Sequence, residues 1–227
     1  VPAMLATPTA MAARMFSAAA TGSGGKCPFG HGLGAAAAKP DAAAVQDVQA
    51  TFEALKKAGA AGLKHGLDVT AIDADGRNLI HWCGVDGEAE LLRALAANAD
   101  KEQLAKALAQ GDILALTPLH IAAAFGSTEV VKVLVHELGV SVNDRAGQPA
   151  VTPIFQAAQY DRAPVIQALL EAGADVTGPP TDSEAELRVP DNQKGLTPMH
   201  VAGLFGSTNA ILALIEAGAA GDAAAGD

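Results

Sequence analysis

The phrase TPLHIAAAFGSTEVV, beginning at Thr117, returns as TPMHVAGLFGSTNAI at Thr197, 80 residues further on. Between them stands a third version, Thr152-Pro153-Ile154-Phe155-Gln156-Ala157, and a degenerate one begins earlier at Asn78 in DADGRNLIHWC. After each complete phrase comes a second apolar segment that ends at a glycine: EVVKVLVHELG, PVIQALLEAGADV and AILALIEAGA. A unit of this size cannot bury both faces of its own helices. A chain that repeats it must stack the copies side by side, and stacking becomes the source of stability.

The residue types at each offset follow from the physics of a stacked helix pair. A threonine hydroxyl accepts from an otherwise unpaired amide at the helix start, and the proline after it occupies the first helical position, where no donor is needed. Ala122, Ala157 and Ala202 are small because paired helices cross closely there, and a larger side chain would overpack the contact. Gly139, Gly173 and Gly218 fall just past the second helices, where a left-handed backbone costs only glycine nothing, and Asn98 is the next-best residue for that role.

On these motifs the chain resembles the ankyrin-repeat family, from Asp41 to Gly221. The resemblance implies an all-α ankyrin-repeat solenoid: an N-terminal cap, with helix from about Val45 and a hairpin near Asp68 to Gly76, then four helix-pair repeats joined by hairpin loops. Residues 1–40 form an irregular arm ahead of it and 222–227 a short tail. It also implies that His120 and His200 hydrogen-bond between neighbouring units and carry no chemistry. The family period is about 33 residues, but 39 separate Asn78 from Thr117, 35 separate Thr117 from Thr152, and 45 separate Thr152 from Thr197. The surplus has places to go. KEQLAKALAQGD, with Leu104 and Leu108 four apart, reads as an added helix, and TGPPTDSEAELRVPDNQKG as a long surface loop.

Composition narrows the function. Half of the residues are hydrophobic, yet only 4% are aromatic, which suits closely packed alanine-rich helices. Net charge is −10 with no cluster of basic residues, so nucleic acid and anionic lipid are poor partners. No stretch is long and apolar enough to cross a bilayer. Cys27 and Cys83 are the only cysteines, which fits a reducing compartment better than a disulfide framework.

The arm holds no acidic residue among its first 40, three basic ones (Arg14, Lys26, Lys39), and long Ala/Gly runs. Its opening around MAARMFSAAA resembles part of an organellar transit peptide; a leader without structure or a cloning remnant is the competing reading. An arm of this composition cannot order itself, so an ordered arm requires an assembly to hold it. Within it, Cys27-Pro28 with His31 resembles the Cys-Pro motif of haem-responsive proteins. Two ligands on a loop underfill a metal site, so the expectation is a Pro/Gly turn and no cofactor.

Ankyrin-type stacks bind proteins through hairpin tips and first helices, so the resemblance implies protein partners without naming one. Just before the turn that closes each first helix stand Ala124-Phe125, Gln159-Tyr160 and Leu204-Phe205. Phe125, Tyr160, Leu204 and Phe205 are therefore the candidate partner-binding residues, with packing beneath a neighbouring loop as the alternative. The last unit, with Ile211, Leu212, Leu214 and Ile215, has no polar capping helix after it. Terminal units need a polar outer face.

The expectation is a non-catalytic scaffold, a peripheral subunit of a multiprotein organellar complex, plastid ahead of mitochondrion. The alternatives are a free cytoplasmic or stromal adaptor or client binder, and a haem-responsive regulator. No catalytic residue or metal site is expected: the sequence carries no phosphate loop and no ligand cluster with metal spacing.

Overall fold

Proline fixes where each unit begins. In the computed structural model, which describes residues 47–63, 67–147, 151–177 and 196–218, Pro118, Pro153 and Pro198 each open a helix, preceded by an extended threonine. The helices are α1 (Val48–Ala58), α2 (Leu79–Asp86), α3 (Ala89–Asn98), α4 (Lys101–Ala109), α5 (Pro118–Phe125), α6 (Thr128–Lys132), α7 (Pro153–Gln159), α8 (Ala163–Glu171), α9 (Pro198–Phe205) and α10 (Thr208–Glu216). Among the described residues no strand forms; Ala146 and Val151 make one isolated antiparallel bridge. Four helix pairs, α2–α3, α5–α6, α7–α8 and α9–α10, are the expected repeats, α1 is the cap, and α4 is the added helix. The residues expected to form a long surface loop, 178–195, and those after Gly218 lie outside the described residues.

The first helices pack in one row, α2 on α5, α5 on α7 and α7 on α9, and the second helices in another, α3 on α6, α6 on α8 and α8 on α10. Between the rows lie Leu92, Leu134, Ile166, Leu169 and Leu214, all without exposed surface. Ala122, Ala157 and Ala202 are completely buried, and Cys83 takes the equivalent place in unit one. Burial pushes the Cys83 thiol far above its ordinary range, so it packs as a small apolar group and not as a nucleophile.

Two local expectations are corrected. The Thr197 hydroxyl accepts from the His200 amide at 3.3 Å, but Thr117 makes no such bond; its hydroxyl turns to His120 Nδ1 at 2.8 Å. The Thr197 hydroxyl makes the same contact with His200 Nδ1 at 2.8 Å, so in both units the hydroxyl is oriented by the imidazole and only in unit four does its oxygen also meet the amide. Thr152 also lacks a capping bond, whereas Asn78 accepts from both Ile80 N and His81 N. Gly139, Gly173 and Gly218 are left-handed, with φ of 69°, 86° and 73°, but Asn98 stays helical as the last residue of α3 and donates to Ala94 O. The chain passes there through extended Ala99 straight into α4, whose own cap is Asp100, so no left-handed turn is required.

Unit two carries an extra residue. Twelve positions separate Ser127 from Gly139, against eleven from Arg162 to Gly173 and from Ser207 to Gly218. The surplus is absorbed by a π-helical turn over Val133–Glu137, closed by Leu138 N donating to Val133 O, so the terminal glycine stays in place.

Adjacent units are joined by buried polar bonds. His81 Nδ1 accepts from Asn78 N at 3.2 Å, which leaves the proton on Nε2, and Nε2 donates to Leu116 O of unit two at 3.1 Å. His120 repeats this one unit on, Nε2 donating to Val151 O at 2.9 Å. A second set runs the other way: Ser127 Oγ donates to Gly84 O, Arg162 Nε to Ala124 O, and Ser207 Oγ to Gln159 O. Burial holds the imidazole pKa of His81 down at about 3 and that of His120 at about 4.

Both histidines are neutral in the folded state, whereas unfolded imidazoles titrate near 6.5. Stability is therefore full above the unfolded value and is lost as pH falls toward the depressed folded values, because the unfolded chain binds the extra protons. Each histidine removes about 2 kcal/mol between pH 7 and pH 5. Urea unfolding across that interval measures this, and the pH dependence shrinks by about half in His120→Gln.

Candidate protein-binding surface

Each first helix ends in a left-handed residue: Gly87, Gly126 and Gly206, with φ of 79°, 84° and 68°, and Asp161 with φ of 58° in unit three. A non-glycine residue in that region is strained. Asp161 earns its place through its carboxylate, which accepts from Ala210 N at 2.8 Å and Asn209 Nδ2 at 2.7 Å and so caps α10 of the next unit. Phe125, Tyr160 and Phe205 stand immediately before these residues, in register as the sequence implies, with Asp86 at the same place in unit one.

Their surroundings differ. Phe125 is half-buried, packed against a small cluster of Val85, Leu116 and Ile121. Tyr160 is half-buried at the end of α7. Leu204 and Phe205 are 53% and 37% exposed. The structure thus brings an open apolar pair together on unit four and gives Phe125 a share in packing the helix against its hairpin. Cys27 and His31 lie outside the described residues.

Charges elsewhere are mostly satisfied. A cleft of about 400 Å³ between α1 and α3 is lined in part by Lys56, Glu88, Glu90 and Arg93. Lys56 pairs with Asp86 and Glu88, and Arg93 with Glu90 and Glu137, so the cleft offers no uncompensated charge to a ligand. Under the first hairpin, Arg77 is buried with its guanidinium 5.6 Å from the centre of the Trp82 ring. Trp82 Nε1 donates to Asp73, and Asp112 accepts from Leu114 N and Leu116 N. Burial raises the Asp112 carboxyl above its usual range.

Arg77 and Asp112 were not distinguished by any pattern in the sequence. Both brace hairpins, whose main chains also join directly: Ile113 N donates to Asp75 O and Gly147 N to Ala115 O. Among the described residues no group of three His, Cys, Asp or Glu side chains is arranged to hold a metal ion, and no helix is long and apolar enough to cross a membrane. The ring nitrogens of His81 and His120 are engaged structurally. What the surface presents is apolar contact area and hydrogen-bonding hairpins.

A family model described as ankyrin repeats, in three copies, matches residues 42–146 and 80–179. The chain belongs to the ankyrin-repeat family. The fourth unit, beyond the matched residues, is identified by its structure. The ankyrin-repeat domain of Bcl-3 superposes with a TM-score of 0.54 over 75% of this chain and 67% of that one, at 22% identity, a likeness of fold. Among sequence relatives, the NF-kappa-B p105 subunit of Gallus gallus is 27% identical over 69% of this chain, and alpha-latrotoxin-Lh1a of Latrodectus hasselti 27% over 60%. The match spans only 14% and 9% of those proteins. Ankyrin repeats are protein-interaction domains, and this one implies protein partners.

Exposure separates three of the four candidate positions by experiment. Leu204→Ala and Phe205→Ala leave the thermal midpoint within about 2 °C of the parent, while Phe125→Ala costs about 1–2 kcal/mol through lost packing. Calorimetry of the three variants checks the order.

Proposed function

We propose that this ankyrin-repeat protein is a non-catalytic scaffold and a peripheral accessory subunit of a larger organellar complex, in a plastid ahead of a mitochondrion. The observation that carries the binding surface is the exposed Leu204–Phe205 pair at the register position that Phe125 and Tyr160 share. Rigid helices present these side chains, so little ordering entropy is lost when a partner covers them. Aromatic anchors at the centre of an interface contribute most of its energy. The arm supports the compartment: it is acid-poor and rich in Ala, and its opening around MAARMFSAAA resembles part of an organellar transit peptide. Nothing in the site calls for turnover, since the buried histidines are neutral and the Cys83 thiol is closed off.

Purification of the native protein from fractionated cells, followed by mass spectrometry of what accompanies it, tests the reading. The expected result is organelle enrichment and elution in one assembly far larger than the 22.7 kDa chain, with the assembly weakened at least tenfold by Leu204→Ser with Phe205→Ser while folding persists. Elution as a free chain from cytosol contradicts it.

A further inference from the structure

Position by position, unit four lacks contacts that earlier units make with the unit after them. His200 Nδ1 accepts from Thr197 N and lies 2.8 Å from the Thr197 hydroxyl, so the ring proton sits on Nε2, as in His81 and His120. Those two donate to the carbonyl just ahead of the next helix start, Leu116 O and Val151 O; His200 Nε2 has no acceptor among the described residues. Gly203 occupies the place of Gly84, Ala123 and Ala158. A Cβ on Gly84 would stand 3.1 Å from Ala122 N of the following unit, and Ala123 and Ala158 are fully buried, whereas a Cβ on Gly203 meets nothing within 4 Å.

The second helix adds a third sign. Arg93, Lys132 and Gln167 occupy one equivalent position in units one to three, and Arg93 uses it to reach Glu137 of the next unit. Unit four has Leu212 there, 54% exposed, beside Ile215 at 58%. An apolar residue where the other units carry polar ones, together with an unanswered donor and an uncovered glycine, continues the established interface between units and does not end it.

We infer that this end face seats a helical hairpin of a partner protein, stacked as a fifth unit, with a main-chain carbonyl two residues ahead of its first helix, as Leu116 is to Pro118, placed to accept from His200 Nε2. The proposal rests on the scaffold reading and names the chemistry of one partner. A second copy does not fit. The opposite end of the stack is closed by α1, whose Glu53, Lys56 and Lys57 are exposed, and two unit-four ends face to face offer donors without the carbonyl that a following unit brings.

The chain's own third unit serves as a probe. Gly218 stands where Gly139 ends unit two, so residues 140–177 joined after Gly218 in the full chain continue the stack in register. The expected result is a rise in thermal midpoint of about 5 °C. Gly203→Leu leaves the midpoint of the unextended chain unlowered, because the space is open, but abolishes the gain from the added unit. An added unit that gives no gain, or the same gain with Gly203→Leu, overturns the inference. So does a dimer of the unextended chain that Gly203→Leu dissociates, which gives the face to a second copy. In the native assembly, Gly203→Leu releases a component; an assembly that keeps every component contradicts this inference while leaving the scaffold reading standing.

Discussion

The constraint on which the structure depends is that a buried imidazole must find a partner for each nitrogen. His81 and His120 satisfy one nitrogen within their own helix start and the other on the neighbouring unit. The bond therefore exists only if the next unit is present and in register. Losing it leaves a buried donor without solvent or partner, a penalty of about 1–3 kcal/mol. Small residues at Gly84, Ala122 and Ala123 let the helices approach closely enough for these bonds to close.

Much of this was legible in the sequence because the repeat is written in residues with narrow physical roles. Thr-Pro marks a helix start, left-handed glycine marks an end, and both survived in place in three units. What the pattern concealed was compensation. Asp161 stands at a left-handed position with no glycine, and its reason is a carboxylate that caps a helix 49 residues later. The surplus residue of unit two vanishes into a π turn. Asn98 has the side chain of a turn residue, but the helix that follows it removes the turn. Arg77 and Asp112 gave no periodic signal because hairpin bracing depends on distance across loops and not on spacing within them.

The candidate surface was legible only by register. The three aromatics align as the sequence implies, yet their exposure depends on their surroundings: Phe125 shares in a small cluster, while Phe205 is 37% exposed. Leu212 and Ile215 are exposed on the same unit. Function and stability thus meet at unit four, where, among the described residues, the exposed large apolar side chains Leu204, Phe205, Leu212 and Ile215 lie. A stack whose chemistry is contact gains from an open end only if another body closes it.

If stability passes from neighbour to neighbour, the units must differ in how readily they open. Native-state hydrogen exchange of the isolated chain reads this directly. The account predicts that amides of α9 and α10, supported from one side, exchange fastest among the repeat helices, and that α5 and α7, supported from both, exchange slowest. Equal protection along the stack, or greatest protection in α9 and α10, would contradict it.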